Sequence, residues 1–252
     1  MVKLFEGDVY LEPIKHIYYH RTTGDSYSSV TQLIHSLVNP FDEEGISKAI
    51  SKRPDEKRKE VYRGMSQEQI LDHWQFLNDE ANEYGTRIHE LIEDYLYKDK
   101  LLFTNDTFEK EVLDAYDDLN VDEGICVWPE RIMFSEEHKL AGTADLKIDI
   151  DDTFFDLGDW KTNGEFDFFD KFGFKCLKKP LDHLQDCHYS IYTVQLSIYA
   201  YMCELETGMK CRQIWIGYWD RESKKLNKMP IMYLKHEAKK ILDLHKYRTQ
   251  FN

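Results

Sequence analysis

The sequence predicts an α/β protein built on a mixed β-sheet that is flanked by helices. Its clearest sign is a pair of apolar-rich runs, Leu146–Ile150 and Thr153–Leu157, joined by the acidic turn Asp151-Asp152, a pattern typical of a β-hairpin. Segments with the apolar spacing of amphipathic helices occur both before and after this hairpin. A chain of 252 residues that is 42% apolar can also bury one substantial core.

Short elements are predicted at the start of the chain. Residues 1–20 alternate loosely between polar and apolar side chains, which favours one or two short strands. Ser28 or Ser29 can then cap a helix, because a serine side chain accepts a hydrogen bond from the first helical turn. Asn39-Pro40 should end this helix, since the residue before a proline disfavours helical geometry.

A long helix is predicted to open at Ser66, which begins a capping-box signature. The preceding residues 42–64 are predicted to be helical with an interruption before Pro54, a proline suited to a first helical turn. Within the long helix, Gly85 and His89 are one turn apart and therefore share a face.

The second half of the chain alternates between helical and strand patterns. The remaining predicted elements are a helix at Thr107–Leu119, a strand at Val127–Phe134, a helix at His188–Glu206, strands at Arg212–Trp219 and Met229–Leu234, and a helix at His236–Arg248. Pro129 suggests that its strand lies at a sheet edge or starts late. We expect residues 1–100 to form strands and a helical region that ends in the helix of His89, and residues 101–252 to form the core, within one integrated domain.

Two carboxylates and a lysine are predicted to meet at one end of the hairpin. Asp145 lies at the start of its first strand, and Asp159 and Lys161 lie at the end of its second strand. Antiparallel pairing brings these ends together, and residues two apart on a strand point to the same face. Such a group is suited to a hard metal ion with a charged lysine beside it.

Four segments in this order resemble the PD-(D/E)XK nuclease superfamily, in its branch of RecB-like, CRISPR-associated and mitochondrial genome maintenance exonucleases. In chain order they are Gly85–His89 on the upstream helix, Gly142–Asp145, Asp159–Asn163 after the hairpin, and Gln195–Tyr199 on the downstream helix. The resemblance spans roughly residues 85–200 and implies a restriction-endonuclease-like core with a mixed sheet flanked by helices, preceded by an arch-like helical region.

This resemblance also implies a catalytic centre. Asp145, Asp159 and His89 would bind one or two Mg²⁺ or Mn²⁺ ions, with help from the carbonyl of Trp160. Lys161 would orient the attacking water or neutralise charge that develops on phosphorus. The catalytic set implied by the family is therefore His89, Asp145, Asp159 and Lys161.

Further residues are assigned around this centre. The resemblance implies that Gln195 and Tyr199, with Thr162 and Asn163, contact the substrate strand, although tyrosines on such a helix more often pack in the core. Glu130 resembles an acidic position of the family that could support the metal. A surface carboxylate is the favoured interpretation of Glu130.

The net charge of −14 opposes a DNA-binding function, because much of the affinity for nucleic acid comes from phosphate contacts. Basic residues cluster in Lys48–Arg63 and Lys171–Lys179, either as phosphate contacts or as ordinary solvated faces. Phenylalanines and lysines alternate through Phe166–Pro180, a pattern that can stack bases in single strands. The slightly favoured alternative is an insertion whose phenylalanines anchor it to the core.

We therefore expect a metal-dependent DNA exonuclease that hydrolyses phosphodiester bonds from strand ends in repair, recombination or replication, encoded by a bacterium or a phage. Its partners would be single-stranded DNA or DNA ends, and replication or recombination proteins. Two alternatives stay open: an endonuclease or flap nuclease with the same centre, and a non-enzymatic acidic DNA mimic or binding protein. The complete set of four catalytic residues argues against a decayed site.

The cysteines and the apolar runs indicate a compartment. The five cysteines are odd in number and form no C-x-x-C pair, which is typical of reduced thiols in the cytoplasm. Family members with an iron–sulfur cluster place one cysteine early, but none precedes Cys126, so we expect no iron–sulfur cluster. No apolar run approaches the length of a membrane span and the start lacks the core of a signal peptide, so no membrane association is expected.

Overall fold

A computed structural model describes residues 8–121, 123–170 and 175–250. The chain forms two compact units. The sheet unit comprises residues 1–39 and 89–252, and the helical unit comprises residues 40–88. All strands of the described residues belong to the sheet unit.

The sheet confirms the predicted mixed α/β class. In chain order the strands are β1 (Val9–Glu12), β2 (Ile17–His20), β3 (Ser26–Ser29), β4 (Cys126–Ser135), β5 (Leu140–Asp149), β6 (Phe154–Lys161), β7 (Lys210–Asp220) and β8 (Lys225–Ile231). Within the described part of the chain they form one sheet in the order β1-β2-β3-β5-β6-β7-β8, with β4 paired to β5. The sheet is mixed, because β3 is parallel to β5 and β6 is parallel to β7, whereas the other pairs are antiparallel.

The helices flank this sheet and fill the helical unit. They are α1 (Val30–Leu37), α2 (Glu43–Ser51), α3 (Gln67–Tyr97), α4 (Thr107–Asp118), α5 (His188–Thr207) and α6 (Lys235–Gln250). Helix α3 contains residues of both units. None of the helices in the described residues combines the length and the apolar character that crossing a membrane would require.

The two predicted N-terminal helix caps, at Ser29 and Ser66, are confirmed. Ser29 precedes α1, and its side chain accepts a hydrogen bond from the backbone N–H of Thr31 at 3.2 Å. Ser66 and Gln69 form the predicted reciprocal box. The backbone N–H of Ser66 donates to Gln69 Oε1 at 2.8 Å, and the backbone N–H of Gln69 donates to Ser66 Oγ at 3.2 Å.

The segment between α2 and α3 differs from the prediction of an interrupted helix over residues 42–64. Helix α2 ends at Ser51, and only two single 3₁₀ turns follow. The side chain of Arg58 explains how this irregular backbone is satisfied. Its guanidinium donates to the carbonyls of Ser51, Arg53 (2.8 Å) and Met65 (2.9 Å), groups that lack helical partners.

Strand β5 has a gap in its pairing that positions the functional residues. One edge of β5 pairs with β4 from Leu140 to Asp149, with an interruption at Asp145. On the opposite edge, β3 pairs only with Leu140 and Ala141, and β6 pairs only from Leu146 onward. Within the described strands, residues 142–145 therefore have no ladder partner on this edge, and Asp145 lies in the opening.

The main apolar core sets the direction of the site residues on β6. Helices α1, α5 and α6 pack against one face of the sheet, to which β6 contributes Leu157. Because side chains alternate along a strand, Asp159 and Lys161 continue the same face beyond the apolar residues. Trp160 occupies the other face, where its ring lies 5.6 Å from that of Tyr116 on α4.

Candidate active site

The hairpin of β5 and β6 brings Asp145 and Asp159 to the same end. The last ladder pair joins Leu146 and Gly158, so the two aspartates are the next residue on each strand. The backbone N–H of Trp160 donates to Asp145 Oδ2 at 2.6 Å, across the gap where the strands separate. The convergence predicted from the hairpin pattern is therefore present.

His89 reaches this pair of aspartates from α3. Its Nδ1 lies 3.4 Å from Asp145 Oδ2. Burial lowers the pKa of His89, but the charge and the hydrogen bond of Asp145, with the charge of Asp159, together raise the pKa overall. The helix predicted to carry the histidine thus delivers it to the predicted carboxylate.

Glu130 is the residue whose position the sequence pattern does not reveal. It lies on β4 opposite Asp145, as the pairing of the residues on either side of it shows. Its φ of +48° is left-handed, which is uncommon for a residue with a side chain and interrupts regular pairing at this point. The favoured interpretation as a surface carboxylate is replaced, because one ligand atom each from His89, Glu130 and Asp145 lie within 4.8 Å of one another.

This donor set suits a divalent cation. One nitrogen and two carboxylate oxygens within 4.8 Å of one another can surround an ion at ligand distances of about 2.0–2.6 Å. Carboxylates are hard ligands, and an imidazole beside them favours Mn²⁺ over Ca²⁺ or Mg²⁺. His89, Glu130 and Asp145 therefore form a group that could hold a metal ion.

Asp159 and Lys161 form a buried ion pair beside this group. Burial and then the negative charge of Asp145 raise the pKa of Asp159 to about 6. Burial acts in the same sense on Asp145, but His89 and Lys161 hold the pKa of Asp145 below its usual value. Neighbouring carboxyls whose pKa values move in opposite directions are typical of functional sites.

Lys161 keeps its positive charge in this buried position. Burial lowers its pKa, but the negative charges of Asp159 and then Asp145 raise it above the usual range. Its Nζ also lies over the ring of Tyr192 on α5, 4.6 Å from the centroid. Lys161 is therefore a fixed cation between two aspartates and an aromatic face.

Two tryptophans interlock with glycines to hold the strand that carries this ion pair. Trp160 on β6 pairs with Gly217 on β7, and Trp215 on β7 pairs with Gly158 on β6. A Cβ at Gly158 would lie 2.2 Å from the ring of Trp215, and one at Gly217 would lie 2.4 Å from the ring of Trp160. Only glycine leaves room for the two indoles, which fix β6 against β7.

The two predicted substrate residues on α5 differ in exposure. Tyr199 is buried and packs on Gly142, where a Cβ would lie 2.5 Å from its ring. This is the core-packing role that tyrosines on such a helix usually have. Gln195 is half-buried and donates from Nε2 to the hydroxyl of Tyr199 at 3.1 Å, so Tyr199 orients its amide. Contact between Gln195 and a substrate stays a prediction.

Thr162 and Asn163 follow Lys161 and are anchored through their backbone carbonyls. The carbonyl of Thr162 accepts from Arg221 Nη2 and that of Asn163 accepts from the hydroxyl of Tyr218, each at 3.1 Å. These contacts tie the chain after Lys161 to the end of β7. The substrate-binding roles predicted for Thr162 and Asn163 stay predictions.

Comparison with known protein families and with curated protein sequences gave no match. Solved structures that are distantly similar to this chain include the following two. A Eubacterium rectale protein, described provisionally as an exonuclease, shares 12% identity at a TM-score of 0.41, over 66% of this chain and 65% of that one, less than two thirds of its length. A protein named SSO0001 shares 13% identity at a TM-score of 0.34, over 88% of this chain and 75% of that one. Neither likeness carries functional information at this level.

Proposed function

We propose that this chain is a metal-dependent nuclease of the PD-(D/E)XK type, which hydrolyses phosphodiester bonds of DNA from strand ends. The observation that carries the proposal is the grouping of His89, Glu130 and Asp145 beside the buried ion pair of Asp159 and Lys161. The grouping arises from helix α3 and from three consecutive strands, β4, β5 and β6. All four residues that the family resemblance implies as catalytic are within it.

Each residue of the site has a role that follows from its position. His89, Glu130 and Asp145 would hold a Mg²⁺ or Mn²⁺ ion, and Asp159 with the carbonyl of Trp160 would extend the ligand set. Such an ion polarises a phosphate and lowers the pKa of a bound water. Lys161, which stays charged, would donate a hydrogen bond to a phosphate oxygen or to the attacking water.

The low dielectric around Lys161 strengthens this last role. The residue is largely buried and flanked by Asp159 and Tyr192, so its ammonium group is held in place before any substrate arrives. A preorganised cation in a water-poor site stabilises developing negative charge more strongly than one in bulk water. Lys161 is accordingly the residue whose loss should affect catalysis most.

The preference for strand ends rests on the family resemblance and on the basic residues of the helical unit. Six basic side chains there are exposed and could follow a phosphate backbone: Lys48, Lys52, Arg53, Lys57, Lys59 and Arg63. Arg58 is excluded from this group because its guanidinium is bound to backbone carbonyls. In our proposal these residues hold a single strand that is threaded by its end.

End-labelled DNA tests both parts of the proposal. Linear and covalently closed circular DNA, single- and double-stranded, would be incubated with the protein in Mg²⁺ or Mn²⁺. We expect loss of linear strands only, and no cleavage by the Lys161→Ala variant, which should still bind metal and DNA. Lys225→Ala is the matched control, because Lys225 is an exposed lysine on β8, and it should cleave like the unmodified chain.

Other results would redirect the assignment. Cleavage of circles as fast as linear strands would replace threading by an endonuclease or flap nuclease with the same centre. Retained cleavage by Lys161→Ala would contradict the assigned catalytic centre. DNA binding without cleavage in any metal would favour the non-enzymatic acidic binding protein.

A further inference from the structure

Beside the catalytic lysine lies a set of aromatic side chains that the proposed chemistry does not use. The ring of Tyr192 lies under the ammonium group of Lys161. The ring of Phe166 lies next to it in space, at a centroid distance of 5.9 Å. The ring of Phe168 lies beyond that of Phe166, with the two centroids 5.0 Å apart. We call Tyr192, Phe166 and Phe168 the aromatic row. It leads from the charged end of the site to the protein surface.

The rings of the aromatic row are tilted against one another rather than stacked. The planes of Tyr192 and Phe166 meet at 44°, and those of Phe166 and Phe168 at 59°. His188, by contrast, lies nearly parallel to Tyr192, with an interplanar angle of 7°. Lys161 and His188 lie against Tyr192, so within the row it is the exposed ring of Phe168 that is open to a planar group.

The loop that carries Phe166 and Phe168 is fastened to the start of α5. Asp167 forms an ion pair with His188, and its carbonyl accepts from the backbone N–H of Tyr189 at 3.1 Å. The carbonyl of Phe168 also lies 3.4 Å from the thiol of Cys187. The phenylalanines are therefore held in place before a ligand arrives, which lowers the entropic cost of binding one.

Exposure separates the members of the row and argues against a purely structural role. Phe166 is half-buried and packs against the main core, so it anchors the loop. Phe168 is 48% exposed and its neighbour Phe169 is 72% exposed. These adjacent exposed phenylalanines on a fastened loop present an apolar surface that is open to a ligand. Lys171, Phe172 and Phe174, which continue the predicted pattern, lie outside the described residues.

We propose that the aromatic row is a subsite for the unstacked bases of a single nucleic-acid strand, a role that rests on the proposed function for the position of the cleaved phosphate. Aromatic side chains bind bases of any sequence by stacking, because every base has a π-face. Lys161 at one end of the row supplies the positive charge that a phosphate requires. A base-paired duplex would not offer its bases to this surface.

Two strands that differ only in their bases test this subsite. A short oligothymidylate and an abasic strand of the same length would be compared by fluorescence anisotropy, in Ca²⁺ and at one fixed salt concentration, since phosphate contacts depend on salt. We expect the protein to prefer the oligothymidylate. Phe168→Ala should weaken that binding by about 5-fold to 100-fold, the usual loss when one stacking aromatic is removed, and should leave binding of the abasic strand unchanged.

Two further variants separate stacking from a loss of structure. Phe168→Trp keeps an aromatic face and should restore the preference for bases. Phe103→Ala removes a phenylalanine that is 92% exposed and lies outside the aromatic row, and it should bind both strands like the unmodified chain. Weakening of both strands alike by Phe168→Ala would overturn the inference, as would equal binding of the two strands by the unmodified protein.

Cleavage is scored separately, so that the two proposals can fail independently. A protein that prefers the base-containing strand but cuts neither strand in Mg²⁺ or Mn²⁺ would contradict the proposed nuclease and leave the stacking subsite standing. A protein that cuts both strands at the same rate, with no effect of Phe168→Ala on binding or rate, would contradict the subsite and leave the nuclease standing.

Discussion

Two buried aspartates on the same strand, three residues apart, have different surroundings. Asp156 accepts two hydrogen bonds from one guanidinium, from Arg212 Nε at 2.9 Å and Nη2 at 2.5 Å. Asp159 forms an ion pair with Lys161, and the negative charge of a second carboxylate, Asp145, acts on it. The first arrangement satisfies a buried charge, whereas the second crowds two carboxylates around one lysine.

This difference distinguishes a structural carboxylate, Asp156, from a candidate functional one, Asp159. A bidentate arginine leaves a carboxylate with little capacity for another cation. Two carboxylates that share one lysine are short of positive charge, and His89 and Glu130 next to them add further metal-binding atoms. On β6, Asp156 therefore has a structural role and Asp159 has, by our proposal, a catalytic role.

The largest effect should come from removing the cationic partner of each aspartate. Lys161→Ala should lower the rate of DNA cleavage by about 100-fold or more, because a preorganised charge on the reacting phosphate is lost. Arg212→Ala should instead lower the free energy of unfolding by about 2–3 kcal/mol, because Asp156 is left buried and unpaired. Cleavage rates and urea unfolding of both variants would measure this. Equal losses of cleavage rate in Lys161→Ala and Arg212→Ala would contradict the distinction between the two aspartates.

Metal affinity gives the next effect. Glu130→Gln should weaken Mn²⁺ binding by about tenfold or more, because one charged ligand atom is lost from the group around Asp145. Glu222→Gln, at an exposed glutamate in the turn before β8, should leave the affinity unchanged. Isothermal titration with Mn²⁺ distinguishes the two. An unaltered affinity in Glu130→Gln would return Glu130 to the surface role that its sequence context favours.

Overpacking of β6 should have a smaller effect. Gly158→Ala places a Cβ about 2.2 Å from the ring of Trp215, and should lower the free energy of unfolding by about 1–3 kcal/mol. Gly164→Ala is the control, because its Cβ would meet nothing within 4 Å. Urea unfolding curves of both variants test whether the interlocked tryptophans hold the strand. A Gly158→Ala variant as stable as Gly164→Ala would show that they do not.

Neutralising the aspartates themselves should produce the smallest difference. Asp156→Asn should lower the free energy of unfolding by about 1–2 kcal/mol, since the charged hydrogen bonds to Arg212 are weakened. Asp159→Asn should change it by less than about 1 kcal/mol or raise it, because repulsion from Asp145 is relieved as the ion pair is lost. Chemical unfolding at neutral pH compares them. A stability loss in Asp159→Asn that exceeds that of Asp156→Asn would contradict the comparison.

The hairpin and its two aspartates could be predicted because they depend on local pattern. β-branched and aromatic residues around an acidic turn identify a hairpin, and the period of two then places Asp159 and Lys161 on one face. Helix starts at Ser29 and Ser66 were equally local, since each depends on one side chain and the next few backbone N–H groups.

The missed features depend on strand register and on backbone contacts that the residue pattern does not encode. Glu130 joins the site through the register of β4 on β5 and through a left-handed φ, and neither is encoded in the residues around it. Strand β3 has only four residues and pairs with β5 more than a hundred residues later. The irregular segment before α3 depends on Arg58, whose partners are carbonyls and therefore carry no side-chain signal.

Tyr199 shows a further limit of motif reasoning. The motif identifies the pair Gln195 and Tyr199, but burial of the tyrosine is decided by Gly142 on a different element. Tyr192, one turn before Gln195, is the tyrosine whose ring meets Lys161. A sequence pattern can therefore identify the helix that lines a site, whereas tertiary packing decides which of its side chains reach the site.

The most direct test of the catalytic centre is the position of bound manganese. Crystals of the protein soaked in Mn²⁺ would be measured at a wavelength where manganese scatters anomalously. We predict a peak within ligand distance of His89, Glu130 and Asp145, and its loss in Asp145→Asn. Ordered manganese elsewhere, with none at this group, would contradict the account.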